Sequence, residues 1–225
     1  MALYLKSLGH DVVIASPKDG ELSKRAKAYE LNTIDIDWSK SNYFNPIFLF
    51  STFLKFKKAE LDVIVFNSFI DIRDASLVAR LSGVRRRILR VGMPIVPKGK
   101  MSYRLAFEFG LTDFVGISDE INNKFKNSIF LKNKIPKKIA NGIDLNLFNY
   151  KSKFSNKKKS WHLGNCVRLS EQKGLRDFIQ ILSKVNSIYD NLTYSLAGDG
   201  EQKEELIQYC QKVGFNKLEF LGHVE

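Results

Sequence analysis

The feature that most constrains this chain is a regular alternation of two kinds of segment. Short apolar runs rich in β-branched residues occur at 12–15, 33–36, 63–66, 88–91, 114–117, 139–140, 162–169, 193–197 and 218–221. Bounded by Gly, Asp or Asn, such runs read as buried strands. Between them lie stretches of helical character at 2–8, 20–30, 46–59, 71–82, 119–127, 174–188 and 201–213. The clearest is 174–188, where Leu175, Phe178, Ile179, Leu182 and Val185 recur at spacings of three and four and make one apolar face. Strand then helix throughout predicts parallel sheets joined by right-handed crossovers, an α/β fold.

The alternation is interrupted once, at 151–160, which is polar, lysine-rich and without apolar period. That stretch reads as a basic linker between a first domain, 1–150, and a second, 161–225. The second part, with three strands and two helices, is small for a doubly wound domain. With 44% apolar and 27% charged residues the 225-residue chain is an ordinary globular sequence, which excludes chain-wide disorder, a collagen-like fibre and a disulfide scaffold. Two cysteines, Cys166 and Cys210, allow at most one bridge and read as reduced, in a cytosolic setting. No run approaches the ~20 apolar residues of a membrane span. Lys6, His10 and Asp11 near the start argue against a secretory signal.

Charge is less ordinary. The net charge is +12, with 24 basic against 15 acidic residues over 1–150, five lysines over 151–159, and seven basic against nine acidic over 160–225. A basic front half points to an anionic partner, be it nucleic acid, an acidic membrane surface or a phosphorylated substrate, or else to a lysine-rich background. The segment 47–58, IFLFSTFLKFKK, joins an apolar run to three lysines. It suits a helix lying on an anionic membrane, while its place just ahead of a buried strand favours an ordinary core helix. Arg85, Arg86, Arg87 and Arg90 form a second basic cluster fit for phosphate or lipid head groups. No zinc finger or aromatic RNA-binding strand is present, so nucleic acid is not the expected partner.

Four stretches carry chemistry. In Leu8-Gly9-His10-Asp11 a helix ends at Gly9, which supplies a left-handed cap, and His10 reads as a surface turn residue. Asn141-Gly142-Ile143-Asp144 supports a tight turn, with Asp144 able to cap the segment after it. In 167–174, VRLSEQKG, a strand runs into a loop holding Arg168 and Lys173, and a helix opens near Gly174. Ligands of doubly wound sheets sit beyond the carboxyl ends of the strands, where helix N-termini favour anions. An Arg and a Lys there suit a diphosphate. In Leu196-Ala197-Gly198-Asp199-Gly200, a second strand-to-helix turn, the glycines allow close approach of a ligand to the backbone. The spacing is not that of a dinucleotide fingerprint. A last strand ends in Leu221-Gly222-His223-Val224.

In that order and spacing the motifs NGIDLNLF (141–148), RLSEQKGL (168–175), LAGDGE (196–201) and FLGHVE (220–225) resemble the family-4-type retaining glycosyltransferases of GT-B architecture, along the whole chain. The resemblance implies two Rossmann-like doubly wound domains and transfer of a sugar, with retention, from a nucleotide-sugar donor. The acceptor it implies is a saccharide or a lipid-linked sugar of the cell-surface polysaccharide or lipopolysaccharide kind. Arg168 and Lys173 fall where the family holds the donor diphosphate. Gly198, Asp199 and Gly200 match the donor-site turn, His223 and Val224 the border of the nucleotide base, and Asn141 and Gly142 the crossover between domains. No metal and no cofactor beyond the donor is expected, and no catalytic residue is assigned. The implied location is cytoplasmic, peripheral at the inner face of the membrane.

The chain also departs from the family. Met1-Ala2-Leu3-Tyr4 already reads as helix, so the family's first strand and glycine-rich loop are expected to be missing, leaving interior sheet edges unpaired. The family's paired glutamates are not found before Glu225, so the second domain is expected to be incomplete. The region Arg90-Val91-Gly92-Met93-Pro94 lacks the usual histidine, and Val167 stands where Gly is common. These departures predict a fragment without catalysis of its own, the alternatives being a basic binding module or an inert remnant.

Overall fold

The computed structural model describes residues 1–38, 45–96, 101–128, 130–131, 134–146, 148, 160–189 and 191–224. The linker expected at 151–160 lies, but for Ser160, outside them. The chain divides into two compact units, Met1–Leu147 and Phe148–Glu225. All strand pairs are parallel.

The first unit opens with α1 (Ala2–Ser7), closed by Gly9 in the left-handed region at φ 85°, with the His10 N–H reaching back to the Leu5 carbonyl. This is the glycine stop that the sequence predicts. Strands β1 (Val13–Ser16) and β2 (Asn32–Asp35) flank α2 (Glu21–Ala28) and make a sheet of two. Then α3 (Pro46–Lys58) leads to a second sheet in the order β3 (Val63–Phe66), β4 (Arg86–Val91), β5 (Asp113–Gly116), β6 (Lys137–Lys138). Among the described residues β1 pairs only with β2, and β3 only with β4, so each keeps one unpaired edge. Helices α4 (Phe69–Leu81), α5 (Met101–Leu105) and α6 (Asp119–Lys126) complete the unit.

Local chemistry sets the helix starts. The Asn45 carboxamide accepts from the N–H groups of Ile47 at 3.0 Å and Phe48 at 3.2 Å, with Pro46 in the first turn. Ser118 caps α6 through the Ile121 N–H at 3.3 Å. The core is an aromatic cluster: Phe114 and Phe125 lie 4.6 Å apart between ring centres, and Phe107 and Phe130 5.0 Å. Ala75, Ala79, Leu89 and Ile121 fill the space around it.

The apolar pattern does not predict a helix over 101–110, yet these residues are helical. They form α5 and then a wide turn of π-helix, Ala106–Gly110. Inserting a residue into the turn shifts the helical period, so the apolar spacing never reads as one face. The widened turn lies against α4 so closely that a Cβ on Gly110 would come within 2.1 Å of the Ser76 hydroxyl. The Lys134 ammonium satisfies the Phe107 and Leu111 carbonyls at its end. Burial first, then Arg87, lowers that ammonium's pKa, against the opposing pull of Asp113 and Glu108.

Three of the four arginines of the cluster, Arg86, Arg87 and Arg90, are engaged by neighbouring groups of the fold. Arg86 pairs with Asp113 at 2.8 Å, and Arg87 donates to the carbonyls of Val84 and Gly110. Arg90 bridges Asn67 and Asn141. These are contacts between β4 and the segments beside it, while Arg85 and Arg86 stay exposed at its start.

The second unit is a three-stranded sheet, β7 (Trp161–Cys166), β8 (Leu192–Ala197) and β9 (Leu218–Gly222), in that order. Helices α7 (Leu175–Asn186) and α8 (Lys203–Lys212) form the crossovers. The central strand β8 buries Tyr194, Ser195, Leu196 and Ala197 in succession, as a strand covered on both faces must. Leu175, Ile179 and Leu182 of α7 pack on it with Leu206, Cys210 and Phe215.

Candidate functional site

The site is built where β7, β8 and β9 end. The loop after β7 carries Val167 and Arg168 and leads through a 3₁₀ turn, Glu171–Lys173, into α7. Gly174 joins the two at φ 60°, ψ 34°, and no side chain caps the N-terminus of α7. Its first N–H groups therefore have no helical partner and carry the positive end of the helix dipole. The loop after β8 carries Gly198, Asp199 and Gly200, and β9 delivers His223 and Val224.

Backbone contacts fasten the first two loops together. The Val167 N–H donates to the Ala197 carbonyl at 2.9 Å, and the Leu169 N–H to the Asp199 carbonyl at 3.0 Å. A Cβ on Gly198 would sit 1.9 Å from the Val167 carbonyl oxygen, and one on Gly200 2.2 Å from that of Leu169. Gly198, at φ 134°, also donates its N–H to the Gly222 carbonyl at 2.6 Å. These two glycines are thus needed for loop to meet loop. The sequence suggests glycine for the approach of a ligand; the structure shows the neighbouring chain already there.

Polar side chains extend the fastening. The buried Gln202 carboxamide donates to Glu171 and to Glu205. Arg176 pairs with Glu205 and lies over the Tyr209 ring, 5.6 Å from its centre. This network ties the 3₁₀ turn and the start of α7 to α8. It is not legible in the sequence because its members stand about thirty residues apart.

A cleft of about 410 Å³ opens above the strand ends, lined by Cys166 at the end of β7 with Val167 and Arg168 just after it, Gly198 and Asp199 just after β8, and His223 and Val224 just after β9. Five of the residues that the sequence singles out, Arg168, Gly198, Asp199, His223 and Val224, meet there. Lys173 and Gly200 belong to the adjoining turns but not to the lining. Asn141 and Gly142 belong to the first unit, after β6, where the Asn141 carboxamide accepts from Arg90 and Asp144 accepts from the Asn146 N–H at 2.9 Å. Cys166, exposed at the cleft, carries no signal in the sequence that would place it there.

The Arg168 side chain is 74% exposed, and its one guanidinium contact among the described residues is the Glu201 carboxylate at 3.4 Å. Such a pair contributes little and exchanges readily with a stronger anion. The Lys173 ammonium makes no ion pair or hydrogen bond among the described residues, while its backbone N–H donates to the Ser170 carbonyl at 3.0 Å. The cleft thus offers one planar, two-pronged cation, and the chain that follows it carries a second point charge and the uncapped start of α7. Among the described residues no group of three or more His, Cys, Asp or Glu side chains converges as a metal site would require, and no helix is long and apolar enough to cross a membrane.

No protein-family model and no curated protein matches the chain. Solved structures do. The crystal structure of Anabaena Alr3699/HepE in complex with UDP superposes with a TM-score of 0.73 at 18% identity, over 94% of this chain and 61% of its own. A glycosyltransferase from Rickettsia africae ESF-5 gives 0.76 at 16% identity, over 100% and 63%. The lipopolysaccharide outer core galactosyltransferase WaaB, in its apo form, gives 0.58 at 13%, over 89% and 55%. The shared fold is that of the GT-B glycosyltransferases, with Rossmann-like α/β units and parallel sheets. This chain spans a little over 60% of the length of the first two.

Proposed function

We propose that the cleft beyond β7, β8 and β9 holds the nucleoside diphosphate of a nucleotide-sugar donor, and that the whole protein transfers the sugar as a glycosyltransferase. The observation that carries this reading is the meeting of Arg168, Gly198-Asp199 and His223-Val224 at the carboxyl ends of three parallel strands. Likeness of fold supports it, since Alr3699/HepE was solved with UDP and with UDP and glucose. The transfer reaction, its sugar and its acceptor are proposals for the protein as a whole.

In this reading each group answers the charge that appears as the bond between sugar and diphosphate breaks. The Arg168 guanidinium leaves Glu201 and grips two phosphate oxygens with parallel N–H donors. Lys173 and the α7 N-terminus face the same charge, which is preorganised stabilisation of the leaving group and requires no movement of the backbone. The strand end at His223-Val224 borders the base. Transfer is with retention, and the acceptor is a saccharide or lipid-linked sugar.

Thermal unfolding in the presence of UDP, GDP and ADP tests the reading. One of them at micromolar concentration raises the melting temperature, as any ligand that binds only the folded state must. Arg168→Ala abolishes the shift. Absence of a shift with all three contradicts the proposal.

A further inference from the structure

The helix α3 is apolar on both sides. Its inner face buries Thr52 and Phe56 and packs Phe48, Leu49 and Phe53 against the core of the first unit. That face alone satisfies the ordinary reading of the segment as a core helix. On the opposite side Ile47 is 82% exposed, Phe50 63% and Leu54 49%. Their spacing of three and four keeps them on one stripe along the helix. Lys57 and Lys58, both exposed, close the stripe at its C-terminal end, and no acidic residue occurs between 46 and 58.

Three large apolar side chains in a row on an outward helix face are not what a solvated surface selects, since scattered single residues are the norm. Water-facing helices carry polar residues where this one carries Ile, Phe and Leu. The lysines decide the chemistry of what covers the stripe. A protein core would not receive two unpaired ammonium groups, whereas an anionic bilayer surface receives both parts. The apolar stripe enters the acyl boundary while lysine stems let the charges rest among head groups. The excess of 24 basic over 15 acidic residues in 1–150 works in the same direction.

We infer that the outer face of α3, through Ile47, Phe50 and Leu54 with Lys57 and Lys58, is a docking surface for an anionic lipid bilayer. This surface belongs to α3 alone and does not depend on the donor site.

The test is cosedimentation of residues 1–225 with vesicles of phosphatidylcholine, with and without phosphatidylglycerol. The protein binds the anionic vesicles, and raised salt weakens the binding. Lys57→Ala with Lys58→Ala lowers the partition coefficient about fivefold per lysine. Ile47→Ser with Leu54→Ser lowers it by about tenfold or more through lost apolar burial. Both pairs are on the outside of the helix, so melting by circular dichroism stays as in the wild type and separates lost docking from lost folding. No binding to anionic vesicles, or binding untouched by either pair of substitutions, overturns the inference. So does a wild-type dimer that Ile47→Ser with Leu54→Ser turns into a monomer, because the stripe would then be a self-contact.

Discussion

Gly198→Ala is the perturbation for which the structure gives the largest effect. A methyl group there would lie 1.9 Å from the Val167 carbonyl oxygen, and the residue would keep a φ of 134°. The backbone term alone costs about 1–3 kcal/mol for a residue with a side chain. Relief of the overlap requires the loop after β7 to move away by more than an ångström. That loosens the Val167 to Ala197 and Leu169 to Asp199 hydrogen bonds, each contributing about 1 kcal/mol. The expected loss is about 3–5 kcal/mol, a large part of the 5–15 kcal/mol of a typical domain. Gly200→Ala meets the Leu169 carbonyl at 2.2 Å without a positive φ and should cost about 2 kcal/mol. Gly214→Ala is the control: φ is 68°, but nothing lies within 4 Å, so only the left-handed term of about 1 kcal/mol applies. Urea unfolding followed by Trp161 fluorescence in a Trp38→Phe background reads out the second unit. The midpoint should fall in the order Gly214, Gly200, Gly198 with the slope unchanged. A Gly198→Ala protein within 1 kcal/mol of Gly214→Ala would refute the reasoning about loop against loop.

Glu201→Gln releases the guanidinium of Arg168 and should tighten nucleoside diphosphate binding by up to about fivefold, measured by calorimetry, because an exposed pair contributes less than about 1 kcal/mol. Tyr194→Phe should leave stability unchanged or raise it by about 1 kcal/mol in denaturant unfolding, since the buried hydroxyl has no hydrogen-bond partner among the described residues. Asp113→Asn should cost about 1.5–3 kcal/mol at neutral pH. Burial works to raise that carboxyl, but the Thr112 hydroxyl, Arg86 and Lys137 outweigh it and hold it below its usual range. A depressed carboxyl stabilises the fold above the unfolded value of about 3.9 and loses that contribution as pH falls through the folded one. The difference between wild type and Asp113→Asn should therefore shrink in acid, below about pH 4.

Much of the architecture is legible in the sequence because short apolar, β-branched or aromatic runs bounded by turn residues mark strands. That is why β3, β8 and β9 read within a residue or two of where they lie, although only β8 is buried on both faces while Val63, Val65 and Leu221 of the other two are exposed. Strand β6 does not, since two lysines form it and the apolar pair Ile139-Ala140 comes after it. The strand expected over 162–169 stops at Cys166, where the chain turns out to carry Arg168 to the cleft. The cleft residues are legible as types at the ends of strands. Their neighbours are not, for Glu201 reaches Arg168, and Gln202 reaches Glu171, only through the crossover. For α3 the pattern is apolar all round, so periodicity alone assigns no face. Only packing distinguishes Phe56, inside, from Phe50, outside.

The cleft proposed for the donor carries its own reporter. Cys166 is exposed at the lining, whereas Cys210 is buried and burial pushes its thiol pKa up. Alkylation of the native protein should therefore mark Cys166 first, and mass spectrometry of the labelled peptides reads the rate at each thiol separately. With the nucleoside diphosphate that raises the melting temperature, labelling of Cys166 should slow in proportion to occupancy, and Arg168→Ala should restore the unprotected rate. Labelling of Cys166 that proceeds at the same rate with and without saturating nucleotide would contradict the assignment of this cleft as the donor site.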